Sequence, residues 1–326
     1  LKPRIEALLG AEFDAVFTSF AGESTEAEMQ QGAQTAKEKG CAVVIGVGGG
    51  KAIDTAKGIA HFTPGTKLVV VPTIVASDAP CSKNAVVYNP DHTVNRDLHG
   101  LFNPDIVLVD SDIVAHAPSR YLAAGIADAL ATWFEAESVQ KTLIPNFTGY
   151  SGTLTAFTIA KLCFETIMTY GRLAMMHCEQ QIVTPQLEAV IEANTLMSTV
   201  GFESGGLGAA HGFHQGIAEW EETHSLLHGE KVAFGTLASL MLTNRPPELI
   251  EETYALCYDI GLPVCLADLG IKEYDDDYLM IAVNRMMLPV ECTHNEPVKY
   301  SAQDYLAAMK AADQYGRAFK QASAEE

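Results

Sequence analysis

The chain has 326 residues, 48% of them hydrophobic, which is enough to bury a sizeable core and to form two domains. Its 41 acidic and 21 basic residues give a formal charge of −20 without a cluster of lysines and arginines, so a nucleic acid is not an expected partner. Since the chain contains no apolar run of about 18 residues, neither a membrane span nor a secretory leader is expected.

The cysteines indicate a reducing compartment. Their number is odd and no Cys-x-x-Cys spacing occurs, which argues against a disulfide framework. We therefore expect reduced thiols that serve mainly as packing residues in a cytoplasmic enzyme. The seven positions are Cys41, Cys81, Cys163, Cys178, Cys257, Cys265 and Cys292.

Over the first third of the chain, apolar runs alternate with segments of helical period, as in a parallel sheet with crossover helices. We predict strands at 13–20, 42–47, 68–72 and 106–110, and helices at 24–39 and 51–62. Ser24 is the predicted N-cap of the first helix. The stretch 86–101 contains turn signals between short apolar pieces and is predicted to be a hairpin or a loop excursion.

After residue 118, long segments of helical apolar spacing dominate. We predict an α/β fold, in which a Rossmann-like parallel-sheet domain at 1–117 is followed by an all-α domain at 118–326. The predicted helices of the second domain are 121–139, 154–174, 186–201, 232–242, 248–260 and 304–319.

A glycine run, Gly46-Val-Gly-Gly-Gly-Lys51, separates a predicted strand from a predicted helix. Backbone amides at the positive end of a helix form an anion cradle when no side chains stand in the way. The run is not a Walker loop, because Ile45 and Ala52 replace residues that this motif requires, and Lys51 breaks the Gly-x-Gly-x-x-Gly pattern. A nucleotide diphosphate is the expected ligand, and a tight structural turn is the alternative.

A second polar segment, 71–82, also follows a predicted strand. Its Ser77, Asp78 and Ser82 side chains are expected to project into the crevice at the carboxyl ends of the strands. A polar turn interrupted by two prolines is the competing interpretation.

Three segments of the second domain carry side chains that can bind a metal. Asp128 stands among apolar residues of a predicted helix, so its buried carboxylate needs a cation or hydrogen-bond donors. His211 and His214 share a helical face, and His228 follows a short acidic loop. A carboxylate with two imidazoles is the ligand set of an open catalytic zinc site. Hydrogen-bonded core histidines remain the alternative, because sequence spacing does not prove that the side chains converge.

These motifs resemble the zinc-dependent polyol branch of the iron-containing alcohol dehydrogenase family. The resemblance spans most of the chain and rests on six segments. They are GVGGGKAIDTAK (46–57), SDAPCS (77–82), AGIADALATWFEA (124–136), EANT (192–195), GFESGGL (201–207) and HGEKVAFG (228–235).

The resemblance implies a zinc ion held by Asp128, His211 and His228. Iron-type relatives carry a further histidine four residues after the aspartate, where this chain has Thr132, so zinc is favoured over iron. It implies in addition that Asp78 contacts the substrate.

By the same resemblance His214, one helical turn from His211, is placed to contact substrate or relay a proton. The resemblance also implies an NAD site. Its expected residues are Gly49, Gly50, Lys51, Asp54, Thr73, Ser82, Asn84 and Tyr88.

Two features depart from the family pattern. Ala76 replaces a serine of the usual motif, so the cofactor contact expected there is lost or taken by Ser77. The family's first strand, which ends in an acidic residue for the adenosine ribose, has no counterpart before Leu1. The first domain is therefore expected to lack its first strand, and the choice between NAD and NADP stays open.

The activity implied is NAD-dependent oxidation of glycerol and related vicinal diols to dihydroxyacetone-type ketones, with zinc as Lewis acid. The family also implies a homo-oligomer, for which an octamer is the candidate size. One alternative is a relative of glycerol-1-phosphate dehydrogenase or dehydroquinate synthase, although few cations stand near the histidine motifs, Arg120, Lys231 and Arg285 being the candidates. The other alternative is a truncated, cofactor-deficient, non-catalytic subunit.

Overall fold

The structure of the protein is a computed structural model that describes residues 2–90, 94–98 and 100–325. The backbone divides into two compact units. The first comprises Leu1–Val71 and Lys83–Leu108, and the second comprises Pro72–Ser82 and Val109–Glu326. The sequence also predicts that 1–117 binds NAD and that 118–326 binds the metal and the substrate. This functional boundary stays a prediction.

The first unit contains a small parallel sheet and an antiparallel hairpin. Three strands form the sheet in the order β1 (Val43–Gly48), β2 (Lys67–Pro72) and β5 (Ile106–Val107). In the parallel β2/β5 pair, Val69 lies opposite Ile106 and Val70 opposite Val107. Strands β3 and β4 form the hairpin. The elements are α1 (Lys2–Leu9), α2 (Glu26–Lys39), β1 (Val43–Gly48), α3 (Gly50–His61), β2 (Lys67–Pro72), β3 (Val86–Tyr88), β4 (Val94–Asp97) and β5 (Ile106–Val107).

Most predicted elements of this unit are confirmed, including strands at 42–47 and 68–72, a shorter strand within 106–110, and the hairpin within 86–101. Residues 91–93 and 99 of that stretch lie outside the described residues. The predicted strand at 13–20 is wrong, because these residues join no sheet of the described chain and Phe13 is 62% exposed. An apolar run becomes a strand only when a neighbouring strand accepts and donates its backbone hydrogen bonds.

The predicted N-cap of the first long helix is also wrong by one residue. Thr25, not Ser24, precedes α2 with an extended backbone, and its hydroxyl accepts the amide hydrogen of Glu28. Only this backbone conformation brings the capping oxygen within reach of the first helical turn.

The second unit is built of helices. Six predicted helical segments are confirmed, although 186–201 is interrupted by a π-helical turn at Ala193–Met197. The helices α4 and α12 were not predicted. The elements are α4 (Ser111–Ala115), α5 (Ser119–Thr142), α6 (Leu154–Glu179), α7 (Pro185–Glu192), α8 (Ser198–Gly205), α9 (Ala209–Ile217), α10 (His228–Leu242), α11 (Pro247–Asp259), α12 (Asp276–Met286) and α13 (Ala302–Glu325).

Helix α5 forms the centre of the second unit. It is buried on nearly all sides between residues 122 and 139, because its alanines leave room for the neighbouring helices. Helix α10 lies close against it at Gly229, where a Cβ atom would lie 1.8 Å from the carbonyl oxygen of Ala124. This contact places the start of α10 directly against α5, four residues before Asp128.

Within the described residues, no helix has both the length and the apolar character that crossing a bilayer requires. None of the seven cysteines, all of which belong to the described part of the chain, forms a disulfide bond.

Candidate metal centre and nucleotide loop

Three helices bring Asp128, His211 and His228 together. Asp128 lies in the middle of α5, His211 in the first turn of α9, and His228 is the first residue of α10. The Nε2 atom of His228 lies 3.1 Å from Oδ1 of Asp128, and Nε2 of His211 lies 3.4 Å from the same oxygen. One ligand atom of each residue can be chosen so that the three atoms all lie within 4.8 Å of one another. The expected convergence of these side chains is thus present in the fold.

The spacing of these atoms fits a metal ion. Tetrahedral ligands about 2.0 Å from a zinc ion lie roughly 3.3 Å from one another. The two observed nitrogen–oxygen distances, 3.1 and 3.4 Å, bracket that value. One oxygen and two nitrogens suit a divalent cation and leave a coordination position for a substrate oxygen or water.

Asp128 is held in place on both of its oxygens. The residue is 2% exposed, and its Oδ2 accepts the backbone N–H of Asp78 at 3.3 Å, which leaves Oδ1 facing the imidazoles. Burial acts to raise the pKa of Asp128, but the neighbouring His228 and His211 outweigh it and hold the pKa well below its usual range. The carboxylate is therefore ionised and attracts a cation.

Glu135 supports His211 from the side opposite Asp128. Its Oε2 lies 2.7 Å from Nδ1 of the His211 ring. Burial acts to lower the pKa of His211, but Glu135 and Asp128 on either side raise it well above the usual value. Glu135 was not among the site residues predicted from the sequence, although it stands seven residues after Asp128, a spacing that puts both side chains on one face of α5.

Asp78, the expected substrate contact, lies beside the metal cluster. Ser198 donates its hydroxyl hydrogen to Oδ2 of Asp78 at 3.0 Å, and Thr199 donates to the main-chain oxygen of Asp78 at 2.8 Å. The Ser198 hydroxyl also lies 2.9 Å from that of Thr132. Sequence reasoning missed Ser198 and Thr199, since no local pattern connects them with a residue 120 positions earlier.

His214 completes the group of imidazoles. Its ring centre lies 4.3 Å from that of His228 and 6.2 Å from that of His211. The ring is buried, and its Nδ1 has no hydrogen-bond partner among the described residues. Burial and the neighbouring cationic groups lower the pKa of His214 well below its usual value, so the ring is neutral at pH 7.

The glycine run of the first unit connects β1 to α3. Gly48 has a φ of +153°, a conformation that favours glycine, and a Cβ there would lie 2.8 Å from the Ala52 side chain. Gly49 is the extended N-cap of α3, and a Cβ at Gly50 would meet no other atom within 4 Å. The amides at this helix start can therefore be approached closely by an anion.

Lys51 is anchored beside the glycine run. Its Nζ atom lies 2.7 Å from Oε2 of Glu23 and 4.6 Å from the centre of the Tyr88 ring. Burial, reinforced by Asp54, Glu23 and Asp97, raises the pKa of Tyr88 to about 12. Tyr88 is thus a neutral hydroxyl at physiological pH.

Asp54 has a structural role in the first unit. Its Oδ1 lies 3.2 Å from Nζ of the buried Lys57, and its Oδ2 accepts the backbone N–H of Val86 at 3.1 Å. Burial raises the pKa of Asp54. Lys57 also donates to the main-chain oxygen of Asn84 at 2.6 Å, so the pair ties α3 to the start of the hairpin.

The expected cofactor residues therefore fall into two groups. Gly49, Gly50, Lys51, Asp54, Asn84 and Tyr88 belong to the first unit. Thr73 and Ser82 belong with Asp78 to the segment Pro72–Ser82 of the second unit.

Comparison with known proteins assigns this chain to a protein family. Residues 1–111 match the family described as iron-containing alcohol dehydrogenase. A glycerol dehydrogenase of Thermotoga maritima is 47% identical over 317 residues, which is 95% of this chain and 86% of the relative. A glycerol dehydrogenase of Escherichia coli is 45% identical over 93% of this chain and 82% of its own length.

Comparison with solved structures leads to the same family. The crystal structure of a probable glycerol dehydrogenase from Sinorhizobium meliloti superposes with a TM-score of 0.89 at 41% identity, covering 94% of this chain and 86% of that one. The chain belongs to the iron-containing alcohol dehydrogenase family and is an oxidoreductase that acts on CH–OH groups. Within the family its likeness is to the glycerol dehydrogenases, which confirms both the family resemblance and the expected fold class.

Proposed function

We propose that this protein oxidises glycerol and related vicinal diols, producing dihydroxyacetone from glycerol, with NAD as the hydride acceptor and zinc as the metal. The observation that carries the proposal is the meeting of Asp128, His211 and His228 in a chain 47% identical to a glycerol dehydrogenase. When bound, the metal supplies Lewis acidity toward an alcohol oxygen, and NAD supplies the acceptor for hydride.

Asp128, His211 and His228 would hold the metal. Two imidazole nitrogens and one carboxylate oxygen suit zinc, whose bonds to these atoms have no strong directional preference. Thr132 contributes a hydroxyl to this part of α5, and that hydroxyl is directed toward Ser198 and the backbone oxygen of Asp128. Position 132 therefore supplies no further imidazole ligand for the metal.

Asp78 and His214 would contact the polyol. Ser198 donates a hydrogen bond to the side chain of Asp78, and Thr199 donates one to its main-chain oxygen. The Asp78 carboxylate is thereby held in place and can accept a hydrogen bond from a substrate hydroxyl without first changing its conformation. His214 is neutral and buried, with Nδ1 in need of a partner, and such a ring can hydrogen-bond a substrate hydroxyl or take up its proton.

The NAD contacts remain proposals for each expected residue. The amides of Gly49 and Gly50 at the start of α3 would bind the diphosphate, and Lys51 would add a positive charge. Asn84 and Tyr88 stand on the neighbouring hairpin segment, and Thr73 and Ser82 would add hydroxyls. Asp54 would act by holding that segment through Val86. In this scheme 1–117 binds NAD and 118–326 binds metal and substrate.

Two of the three candidate cations for a substrate phosphate, Arg120 and Arg285, are already paired with carboxylates, which favours an uncharged substrate. Arg120 forms two hydrogen bonds with the carboxylate of Glu230, at 2.5 and 2.7 Å. Arg285 pairs with Glu219 and Glu291. Since both guanidinium groups are already neutralised by carboxylates, a substrate phosphate would have to compete for them.

The test is glycerol oxidation by the purified protein, followed by NADH absorbance, with NAD and NADP varied and the zinc and iron contents measured in the same sample. His228→Ala should lose both metal and activity. His224→Ala is the matched control, because this exposed histidine lies outside the cluster. A zinc-replete and fully active His228→Ala variant would refute the metal assignment.

Two other outcomes would favour one of the alternative functions. Competitive inhibition by inorganic phosphate, with weak activity on glycerol, would indicate a phosphorylated polyol substrate. Bound metal without measurable NAD binding would indicate a non-catalytic subunit. Sedimentation would test the proposed homo-oligomer, with an octamer as the candidate size, and cell fractionation would test the proposed cytoplasmic location.

A further inference from the structure

Glu135 is a buried carboxylate that hydrogen-bonds the start of the helix that carries His211. The residue is 1% exposed. Its Oε1 accepts the backbone N–H of Gly208 at 3.0 Å and that of His211 at 2.7 Å, while its Oε2 faces Nδ1 of His211 at 2.7 Å. One side chain of α5 therefore contacts both the main chain and the ring of a residue on α9.

These contacts explain how an acidic side chain can be buried there. An ionised carboxylate is costly in an apolar interior unless hydrogen-bond donors surround it. The first amides of a helix have no partner within the helix, and the positive end of the helix dipole favours a negative charge. A second carboxylate, Glu296, accepts the N–H of Ala209 in the same turn at 2.8 Å. The start of α9 is thus fixed to its surroundings by two carboxylates.

The contact with the ring decides which nitrogen of His211 carries a hydrogen. Oε1 of Glu135 already accepts two backbone N–H groups, so Oε2 is the acceptor that remains for the ring and Nδ1 is the donor that faces it. In the neutral ring, Nε2 then carries the lone pair, and Nε2 is the atom that lies 3.4 Å from Oδ1 of Asp128. A metal needs a nitrogen with a lone pair at that place.

We propose that Glu135 is a positioning residue that fixes the ring orientation and the tautomer of His211 and thereby sets the metal affinity of the site. The inference rests on the metal role of His211 in the proposed function. It goes further, because it assigns a function to a residue that contacts neither the metal nor the substrate.

A substitution by glutamine separates this role from simple packing. Glutamine keeps the size of the side chain but has one acceptor oxygen and one NH₂ group. If the oxygen faces the two backbone amides, the NH₂ faces Nδ1, and the ring must carry its hydrogen on Nε2, where it blocks a metal. If the oxygen faces Nδ1, the NH₂ points at two backbone N–H groups. Either orientation of Glu135→Gln opposes metal binding.

The experiment compares metal affinity in three proteins. Metal-free wild type, Glu135→Gln and Glu137→Gln are titrated with Zn²⁺ against a competing chelator, and Co²⁺-loaded samples are examined by visible absorption. Glu137 is the matched control, since it lies on the same helix but pairs with Arg245 and Lys141. We expect Glu137→Gln to bind like wild type and Glu135→Gln to bind at least about tenfold more weakly, with an altered Co²⁺ spectrum.

The tautomer is measured separately on zinc-loaded wild type by ¹⁵N–¹H spectra of the imidazole nitrogens, which requires no variant to fold. The hydrogen of His211 should reside on Nδ1. An affinity of Glu135→Gln within twofold of wild type would overturn the positioning role while leaving the proposed function intact, whereas a hydrogen on Nε2 would overturn both the positioning role and the metal role of His211. Failure of wild type to bind Zn²⁺ would instead overturn the metal function and this inference with it.

Discussion

Replacing Gly229 with alanine tests how closely α10 must approach α5 for the metal cluster to form. The added Cβ would lie 1.8 Å from the carbonyl oxygen of Ala124, 2.5 Å from its carbonyl carbon and 2.9 Å from its Cα. All three are backbone atoms of a buried helix and cannot rotate away. The start of α10 must therefore move.

The size of the movement follows from these distances. Ordinary contact of a Cβ begins at 3.4 Å, so a separation of 1.8 Å requires a displacement of about 1.6 Å if α5 stays in place. His228 directly precedes Gly229 and moves with it. Metal–ligand bonds tolerate only about 0.2 Å. We expect zinc affinity to fall at least about 100-fold, or roughly 2.7 kcal/mol, together with about 1–3 kcal/mol of overpacking strain.

The assay is a zinc titration against a competing chelator, with urea unfolding of the metal-free protein measured alongside. Gly171→Ala is the matched control, because its Cβ would meet Leu256 at an ordinary 3.4 Å within the same unit. That control should keep wild-type zinc affinity and gain up to about 1 kcal/mol from its better helix propensity. A Gly229→Ala variant with wild-type zinc affinity would show that the close approach of the helices does not position His228.

Three further predictions concern other contacts. Ser198→Ala should lower kcat/KM for glycerol about tenfold at unchanged zinc content, because Asp78 loses its 3.0 Å hydrogen bond; unaltered steady-state kinetics would contradict this. Lys57→Met should lower the unfolding free energy by about 3 kcal/mol in urea melts, because Asp54 stays buried without its cation, and a loss below about 1 kcal/mol would argue against it. Burial raises the pKa of Glu296 above its ordinary 4.5, so its ionisation opposes folding, and the stability that its protonated side chain contributes is fully present below pH 4.5 and falls as the pH rises through the raised folded value. Glu296→Gln should lack that fall, and superimposable melting temperatures of the two proteins from pH 4 to pH 8 would refute the reasoning.

Local chemistry made much of the first unit predictable. The glycine run marks the junction of β1 and α3 because few other residues allow the backbone of Gly48 and the approach of Ala52. The run at 13–20 failed as a strand because pairing depends on a partner elsewhere in the chain. The N-cap differed by one residue because Ser24 and Thr25 are chemically equivalent candidates and only the backbone conformation distinguishes them.

The candidate site was predictable in its most unusual residues. Asp128 stood out because a carboxylate among alanines and leucines needs a compensating charge, and the histidines lay in glycine-flanked helical segments. Glu135 was visible in principle through its spacing from Asp128 on α5. Ser198 was not, because its link to Asp78 depends on packing between segments 120 residues apart.

The sequence by itself determined most of the element types, the side chains able to bind a metal and the family to which the chain belongs. Periodicity, glycine placement and a charge in an apolar helix are local properties, and each has a local physical cause. Only the tertiary structure decided that Oδ1 of Asp128 lies within 3.4 Å of both imidazoles and that Glu135 supports one of them. These distances depend on how closely α5, α9 and α10 pack. The close approach of α10 to α5 is possible because Gly229 has no side chain, and Gly229 is not itself a metal-binding residue.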